Sequence, residues 1–466
     1  MNLRLLVLLC MLSPLWVYAQ DNGADTLTQF YWASFTDKAD SPYRIEKPEV
    51  FLSERAIERR SRLNVPITEQ DFPPNPEYLK GLAAKGASIH HRSRWLNAAT
   101  FYASSSLAQQ IATLPYVDTV WTAGPYRSPT RVSRSRNLQM DSLRTSPRPE
   151  EPYGYGAQQI RMLNGDSLHQ LGYRGAGILI AVLDGGFTGT DQSPFFDSLR
   201  ADERLLPPVD IVDQDSLAWE SSSHGTKVLS TMGADVPGVL IGTAPEASYV
   251  CIKTEDTRGE HRIEECHWVV GIEYADSLGA DVVNSSLGYT TFDDPEMNYD
   301  STSLTGQLSV ASQAANIAAA KGMLVVTSAG NEGSSSWRLI GIPADAEKAL
   351  SVGATDMRGN LASFSSVGPS ADGRVKPDVV APGAWVFTAD AYQYRIAIGS
   401  GTSFAAPIMA GLVACLRQAF PDQPVDNIYD ALRQSSSQAQ SPDNAAGYGL
   451  PDVVKAYELL KRNSKP

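Results

Sequence analysis

The sequence predicts an α/β protein: a mostly parallel sheet covered by helices on both faces, preceded by a small α+β unit. Three observations predict it. Beyond residue 151, short apolar runs alternate with helical segments, the pattern of a sheet buried on both sides. Before residue 126 the pieces are shorter and run in the order β-α-β-β-α-β, the split βαβ or ferredoxin-like pattern. Charge divides at the same place: residues 20–150 hold 17 Lys+Arg against 14 Asp+Glu, and residues 151–466 hold 21 against 38. Units of opposite net charge attract one another, and the acidic larger unit argues against a nucleic-acid partner.

The chain of 466 residues has room for two or three domains. Residues 1–19 read as a signal peptide. Arg4 precedes an apolar run at 5–12, and Val17-Tyr18-Ala19 offers small residues where cleavage occurs. The run is shorter than the roughly 20 residues that span a bilayer, and no later stretch is long enough. The expected product is a soluble secreted protein, periplasmic or extracellular, without a membrane span. Past the signal, Cys251, Cys266 and Cys415 remain. An odd number forbids a complete disulfide framework; one bridge, Cys251 to Cys266, and three buried thiols both stay open.

In the first unit, 20–126, the aromatic-rich stretch 28–35 reads as a strand. Residues 53–60 read as a helix capped by Ser53, with charged residues on its outer face. Residues 79–84 add a short helical turn. Strands follow at 87–91 and 98–104, then a helix at 106–114 and a strand at 117–121. The linker 127–150 carries Arg127, Arg131, Arg134, Arg136, Arg144 and Arg148 among Ser, Thr and Pro. Such a segment has little to bury, and exposed segments are where proteolytic nicking concentrates.

The second unit spans 151–462. An apolar strand at 178–183 ends in Asp184-Gly185-Gly186. A strand at 248–252 leads to a helix at 263–278. A strand at 281–283 runs into Asn284-Ser285-Ser286-Leu287-Gly288. After a helix at 310–320, a strand at 323–326 runs into Thr327-Ser328-Ala329-Gly330-Asn331-Glu332-Gly333, and another strand follows at 350–353. Ligands of such sheets sit outside the carboxyl ends of the strands, and Asp184, Asn284 and Asn331 all fall there. Gly401-Thr402-Ser403-Phe404-Ala405-Ala406-Pro407 then opens an apolar helix, with Ser403 in its first turn.

A serine at that place has two readings: a cap on backbone N–H groups, or a nucleophile at the positive end of a helix. A nucleophile needs a base. Of His90, His91, His169, His224, His261 and His267, only His224 starts a helix within a Gly-containing turn, His224-Gly225-Thr226. Asp184 supplies an acid to hold its tautomer. Alone, each has an ordinary role as cap, surface imidazole or turn aspartate. Together they stand in one of the known triad orders, Asp–His–Ser. An α/β-hydrolase would need Gly-x-Ser-x-Gly and the order Ser–Asp–His, and neither is present around Ser403.

The three segments around Asp184, His224 and Ser403 closely resemble the signature segments of the subtilisin-like serine proteases (subtilases, peptidase S8). Gly447-Tyr448-Gly449-Leu450-Pro451-Asp452 resembles the end of that domain. Gly185 departs from the Ser or Thr usual after the Asp. The resemblance implies the subtilisin-like three-layer αβα fold and a secreted serine endopeptidase acting on peptides or proteins. It implies that Asn331 completes the oxyanion hole with the Ser403 N–H. It also implies that Ser286, Leu287 and Gly288 pair with an extended substrate, and that Ser328, Ala329 and Gly330 line the wall opposite. Trp337 or Arg338 could reach into that pocket and change it, so its preference stays open. The first unit then resembles the family's propeptide, a folding chaperone and inhibitor of the I9 type, with processing expected within 127–150. The chemistry needs no cofactor. Structural calcium is common in the family; the loop 233–239 lacks Asn-rich ligands, whereas Asp293, Asp294, Glu296 and Asp300 could supply oxygens. A monomer is expected.

Overall fold

The computed structural model describes residues 28–125, 150–393 and 395–463. The expected signal peptide, and all of the expected linker but its last residue, lie outside them. The small unit is built from β1 (Gln29–Phe35), α1 (Glu54–Arg62), α2 (Pro76–Ala84), β2 (Ser88–Ser93), β3 (Ala98–Ala103), α3 (Ser105–Ile111) and β4 (Val117–Pro125). Its antiparallel sheet has the order β2-β3-β1-β4. Side chains alternate faces along a strand, and β1 uses both. Tyr31, Ala33 and Phe35 pack with Leu82 of α2 and Ile111 of α3. Phe30 and Trp32 face the other way, into the core of the large unit.

The large unit begins with α4 (Ala157–Arg161) and α5 (Gly165–Gln170). It continues through β5 (Leu179–Asp184), α6 (Asp197–Ala201), β6 (Val209–Asp210), α7 (His224–Gly233), and the short pair β7 (Asp235–Val236) and β8 (Leu240–Ile241). Then come β9 (Ser248–Lys253), α8 (Ile263–Leu278), β10 (Val282–Ser285), α9 (Val310–Ala320), β11 (Leu324–Ser328), β12 (Leu350–Thr355) and β13 (Val379–Pro382). A hairpin of β14 (Val386–Ala389) and β15 (Ile396–Gly399) precedes α10 (Thr402–Ala419), α11 (Val425–Ser435) and α12 (Val453–Asn463). Seven strands form one sheet, β13-β12-β11-β10-β5-β9-β6, and each neighbouring pair is parallel. Helices α7 and α10 pack on one face, α8 and α9 on the other. From β5 the chain goes first to β6 at the edge and back to β9, both on one side, then to β10 on the other. The carboxyl end of β5 is therefore the switch point where such sheets bind ligands.

Two expectations are corrected here, and one open alternative is settled. The helix 53–60 was to carry charged residues on an outer face; α1 instead buries Arg59 and Arg60, at 2% and 1% exposure, against the large unit. The crossover helix packed under the small sheet is α2, a full helix with Asn75 as cap and Pro at its start, rather than α1. The Cys251–Cys266 bridge is not formed. Cys251 points to the α7/α10 face and Cys266 to the α8/α9 face, so the sheet lies between them.

Helix α1 docks on the C-terminal end of α8, where carbonyls lack helical partners. Ser53 N donates to Ser277 O at 2.9 Å, Arg55 Nε to Gly279 O at 3.0 Å, and Arg59 to Ala280 O. Asp276 of α8 receives Arg59, Arg60 at 2.8 Å and Arg94 at 3.3 Å. Burial alone raises a carboxyl pKa, but the Arg60, Arg59 and Arg94 charges outweigh it and pull Asp276 down to about 2. Asp71 of the small unit bridges Arg60 and Lys321, both at 3.1 Å, and Lys321 follows α9 of the large unit.

Candidate active site

Asp184 ends β5 and is buried. Its carboxylate accepts from the next backbone N–H, Gly185, at 2.8 Å, and meets His224 Nδ1 with its two oxygens at 2.9 and 2.8 Å. A carboxylate accepts, so Nδ1 carries the proton and Nε2 presents its lone pair. Burial lowers the His224 pKa; the Asp184 charge and hydrogen bond outweigh that, leaving it above the ordinary imidazole value.

Two glycines make this approach possible. A side chain at Gly225 would strike the Gly186 carbonyl at 2.5 Å and the Phe187 ring, and Gly225 N donates to Gly186 O at 3.1 Å. Gly186, at φ +139°, passes so close to Glu220 O that a Cβ would lie 2.1 Å from it. The loop before α7 is thereby clamped to the loop after β5, and the two motifs lie side by side.

Ser403 is the second residue of α10, behind Gly401 as cap. It does not cap: its hydroxyl donates to Ser286 O at 3.3 Å. Among the described residues it has no hydrogen bond with His224, whose ring centroid lies 5.9 Å from that of the neighbouring Phe404. Catalytic hydrogen bonds are often long or misaligned without substrate. Pro407 explains how the start of α10 is held. Lacking an N–H, it cannot bond the carbonyl four residues back, that of Ser403. Ser286 Oγ takes that carbonyl instead, at 2.9 Å, and Asn284 Nδ2 in turn donates to Ser286 Oγ at 3.1 Å. The end of β10 is thus laced to the turn that carries Ser403. Beyond its expected place on a substrate edge, Ser286 has a positioning role that the Pro in the motif could have signalled.

Asn331 Oδ1 accepts from Thr402 N at 2.8 Å and from Thr402 Oγ1 at 3.1 Å. That leaves its Nδ2 as a donor, and the Ser403 N–H is one of the first N–H groups of α10, which no turn satisfies. Thr402, which also accepts from Gly330 N at 3.2 Å, orients that amide and was not singled out from the sequence. Ser328 Oγ donates to Leu287 O at 3.2 Å, joining the two expected substrate segments at their base. Leu287 is partly exposed and Gly288 exposed, with little around it. Trp337 turns onto its own loop, its indole N–H donating to Ile340 O at 3.3 Å.

The other expected groups lie elsewhere. His169 is a satisfied core residue between Tyr153 and Thr243. Asp294 and Asp300 cap their own turns, and Asp293 accepts from Glu260 N at 3.3 Å. Among the described residues, the acidic loop does not form a converged set of three metal ligands.

A parallel sheet with an Asp–His pair at its switch point, and a serine at a facing helix start, defines a class: the serine hydrolases. The family profile described as the Subtilase family (Peptidase S8) matches residues 175–449, more than half of the chain. The profile described as the Peptidase S8 propeptide domain of Bacteroidota matches residues 30–139. The chain belongs to the subtilase family and is a serine-type endopeptidase with a propeptide. It is 32% identical over 289 residues to subtilisin DY of Bacillus licheniformis, covering 61% of this chain and 91% of that one. It is 28% identical over 322 residues to the serine protease AprX of Bacillus subtilis (strain 168), covering 63% and 67%. The solved MycP3 protease from the type VII (ESX-3) secretion system shares the fold, with a TM-score of 0.53 at 24% identity, covering 67% of this chain and 91% of that one. Among the described residues no helix is long and apolar enough to cross a membrane.

Proposed function

We propose that the protein is an exported endopeptidase, made as a self-processing zymogen, whose reaction runs through Ser403, His224 and Asp184. The observation that carries this reading is the Asp184 carboxylate on His224 Nδ1 at 2.8 Å, in the chain order Asp–His–Ser with Ser403 at a helix start. The substrate enters as an extended strand along Leu287 and Gly288, reading main chain first, with Ser328, Ala329 and Gly330 opposite. The Ser403 hydroxyl turns from Ser286 O to His224 Nε2, gives up its proton, and attacks the scissile carbonyl. Asn331 Nδ2 and the Ser403 N–H receive the oxyanion, each donor being worth roughly 2.7–4 kcal/mol. Asp184 stabilises the imidazolium, which protonates the leaving amine. Water then hydrolyses the acyl-enzyme by the reverse relay. No cofactor enters these steps, and any calcium would be structural. Residues 1–19 direct export, cleavage within 127–150 frees the protease, and the product acts as a monomer.

A fluorophosphonate probe tests the reading. The processed protein should be labelled at Ser403, and Ser403→Ala should not. An unlabelled processed protein would instead make this a silent subtilase fold used for binding.

A further inference from the structure

Strand β2 carries His90 and His91, and α8 carries His267. Docking of the small unit brings the three rings together, one nitrogen of each within 4.8 Å of the others. Ring centroids are 4.1 Å apart for His90 and His91, 5.5 Å for His90 and His267, and 5.6 Å for His91 and His267. His267 is 2% exposed. Neither of its ring nitrogens has a hydrogen-bond partner, and His90 Nε2 is shut off from solvent without one. The Thr254 backbone comes close to the His267 ring but does not complete a bond of good geometry. Buried ring nitrogens in this state are costly, and native structures rarely leave them so without a reason. His91 Nε2 lies 2.7 Å from Ile211 O. A carbonyl only accepts, so Nε2 carries the proton and Nδ1 keeps its lone pair. A ring with one N–H fixed on a backbone carbonyl is the usual state of a metal-bound imidazole.

We infer that His90, His91 and His267 form a site for one divalent transition-metal ion of the zinc type, held between the propeptide and the protease. Three neutral nitrogens without a carboxylate suit zinc and not calcium or magnesium. A tetrahedral ion with bonds of about 2.0–2.1 Å needs nitrogens roughly 3.4 Å apart, so the rings draw in by about an ångström and water takes the fourth position. Gln214 Nε2 lies 2.7 Å from both His90 Nδ1 and His90 O. On loading, His90 Nε2 ligates, Nδ1 becomes the N–H, and the Gln214 amide swings to accept from it. Two ligands come from the propeptide and one from the protease. The ion is therefore a clasp that exists only while the two are docked, and it does not depend on the cleft.

The test uses the full chain as Ser403→Ala, loaded with Zn²⁺ or Co²⁺ and dialysed against metal-free buffer. One ion per chain and the visible absorption of tetrahedral Co²⁺ are expected. His267→Ala should weaken binding at least about tenfold, and Gln214→Glu, which offers a carboxylate to His90 Nδ1–H, should tighten it. Because His267→Ala could disturb α8, His90→Ala on the more open side provides the same readout. No stoichiometric ion, an octahedral Co²⁺ spectrum, or unchanged affinity in both alanine variants would overturn the site.

Discussion

His224 and His267 sit on helices of the same domain, and their surroundings are opposite. His224 opens α7 with a carboxylate on Nδ1; burial lowers its pKa, but Asp184 leaves it raised. His267 lies inside α8 with His90 and His91 as ring neighbours, and among the described residues no carboxylate is hydrogen-bonded to it. Burial, with the nearby His91 adding to it, holds it well below the ordinary imidazole value. Desolvation alone makes a neutral ring, and it takes an acid to make that ring a base.

The largest expected effect comes from removing the group that the base serves. Ser403→Ala should cost about 10⁶ in kcat, measured by peptide turnover. The same variant should stay uncut, and a mature N-terminus found in it when expressed alone would assign processing to another protease. Asp184→Asn gives His224 a setting more like that of His267. A loss of about 10⁴ in kcat is expected. The sign of the pH effect follows from the base having to be neutral. In the wild type, activity falls as pH drops through a value above 6.5. Without the Asp184 charge, burial remains, and that limb should move to lower pH in a kcat/KM profile.

On the docking side, Arg60→Ala leaves the Asp276 and Asp71 charges buried and underpaired. A loss of about 3–5 kcal/mol is expected in urea unfolding of the uncut chain. Asp276, held at about 2, contributes its full share above the ordinary 3.8 and loses it as pH falls towards about 2. Asn331→Ala should lower kcat by about 10²–10³ with little change in KM. An equal rise in KM would show that the amide binds substrate rather than the transition state.

The cleft was more legible than the docking surface. Helices α8 and α9 are legible at their observed bounds because each has a continuous apolar stretch and a clear stop. Asp184, His224 and Ser403 lie in local motifs whose glycines announce close approach. Arg59 and Arg60 could not be read this way: an arginine looks solvated until its partner is known, and Asp276 lies 216 positions from Arg60. Strand β13 is four residues long with a Pro at its end, too short for a periodicity to register. Helix α11 is legible from the helical spacing of Val425, Ile428, Tyr429 and Leu432, all of them buried. His90 and His91 stood next to each other in plain view; what they face depends on docking, which no local pattern encodes.

Strand β1 is covered on both faces only while the two units are together. Once the small unit is shed, Phe30, Trp32 and Trp95 face water as one apolar patch. A four-stranded sheet so stripped must cling to another surface or open, and under the proposed self-processing an opened chain would be a substrate for the protease it leaves. Under the proposed processing, release and destruction would run in series, making activation a one-way step.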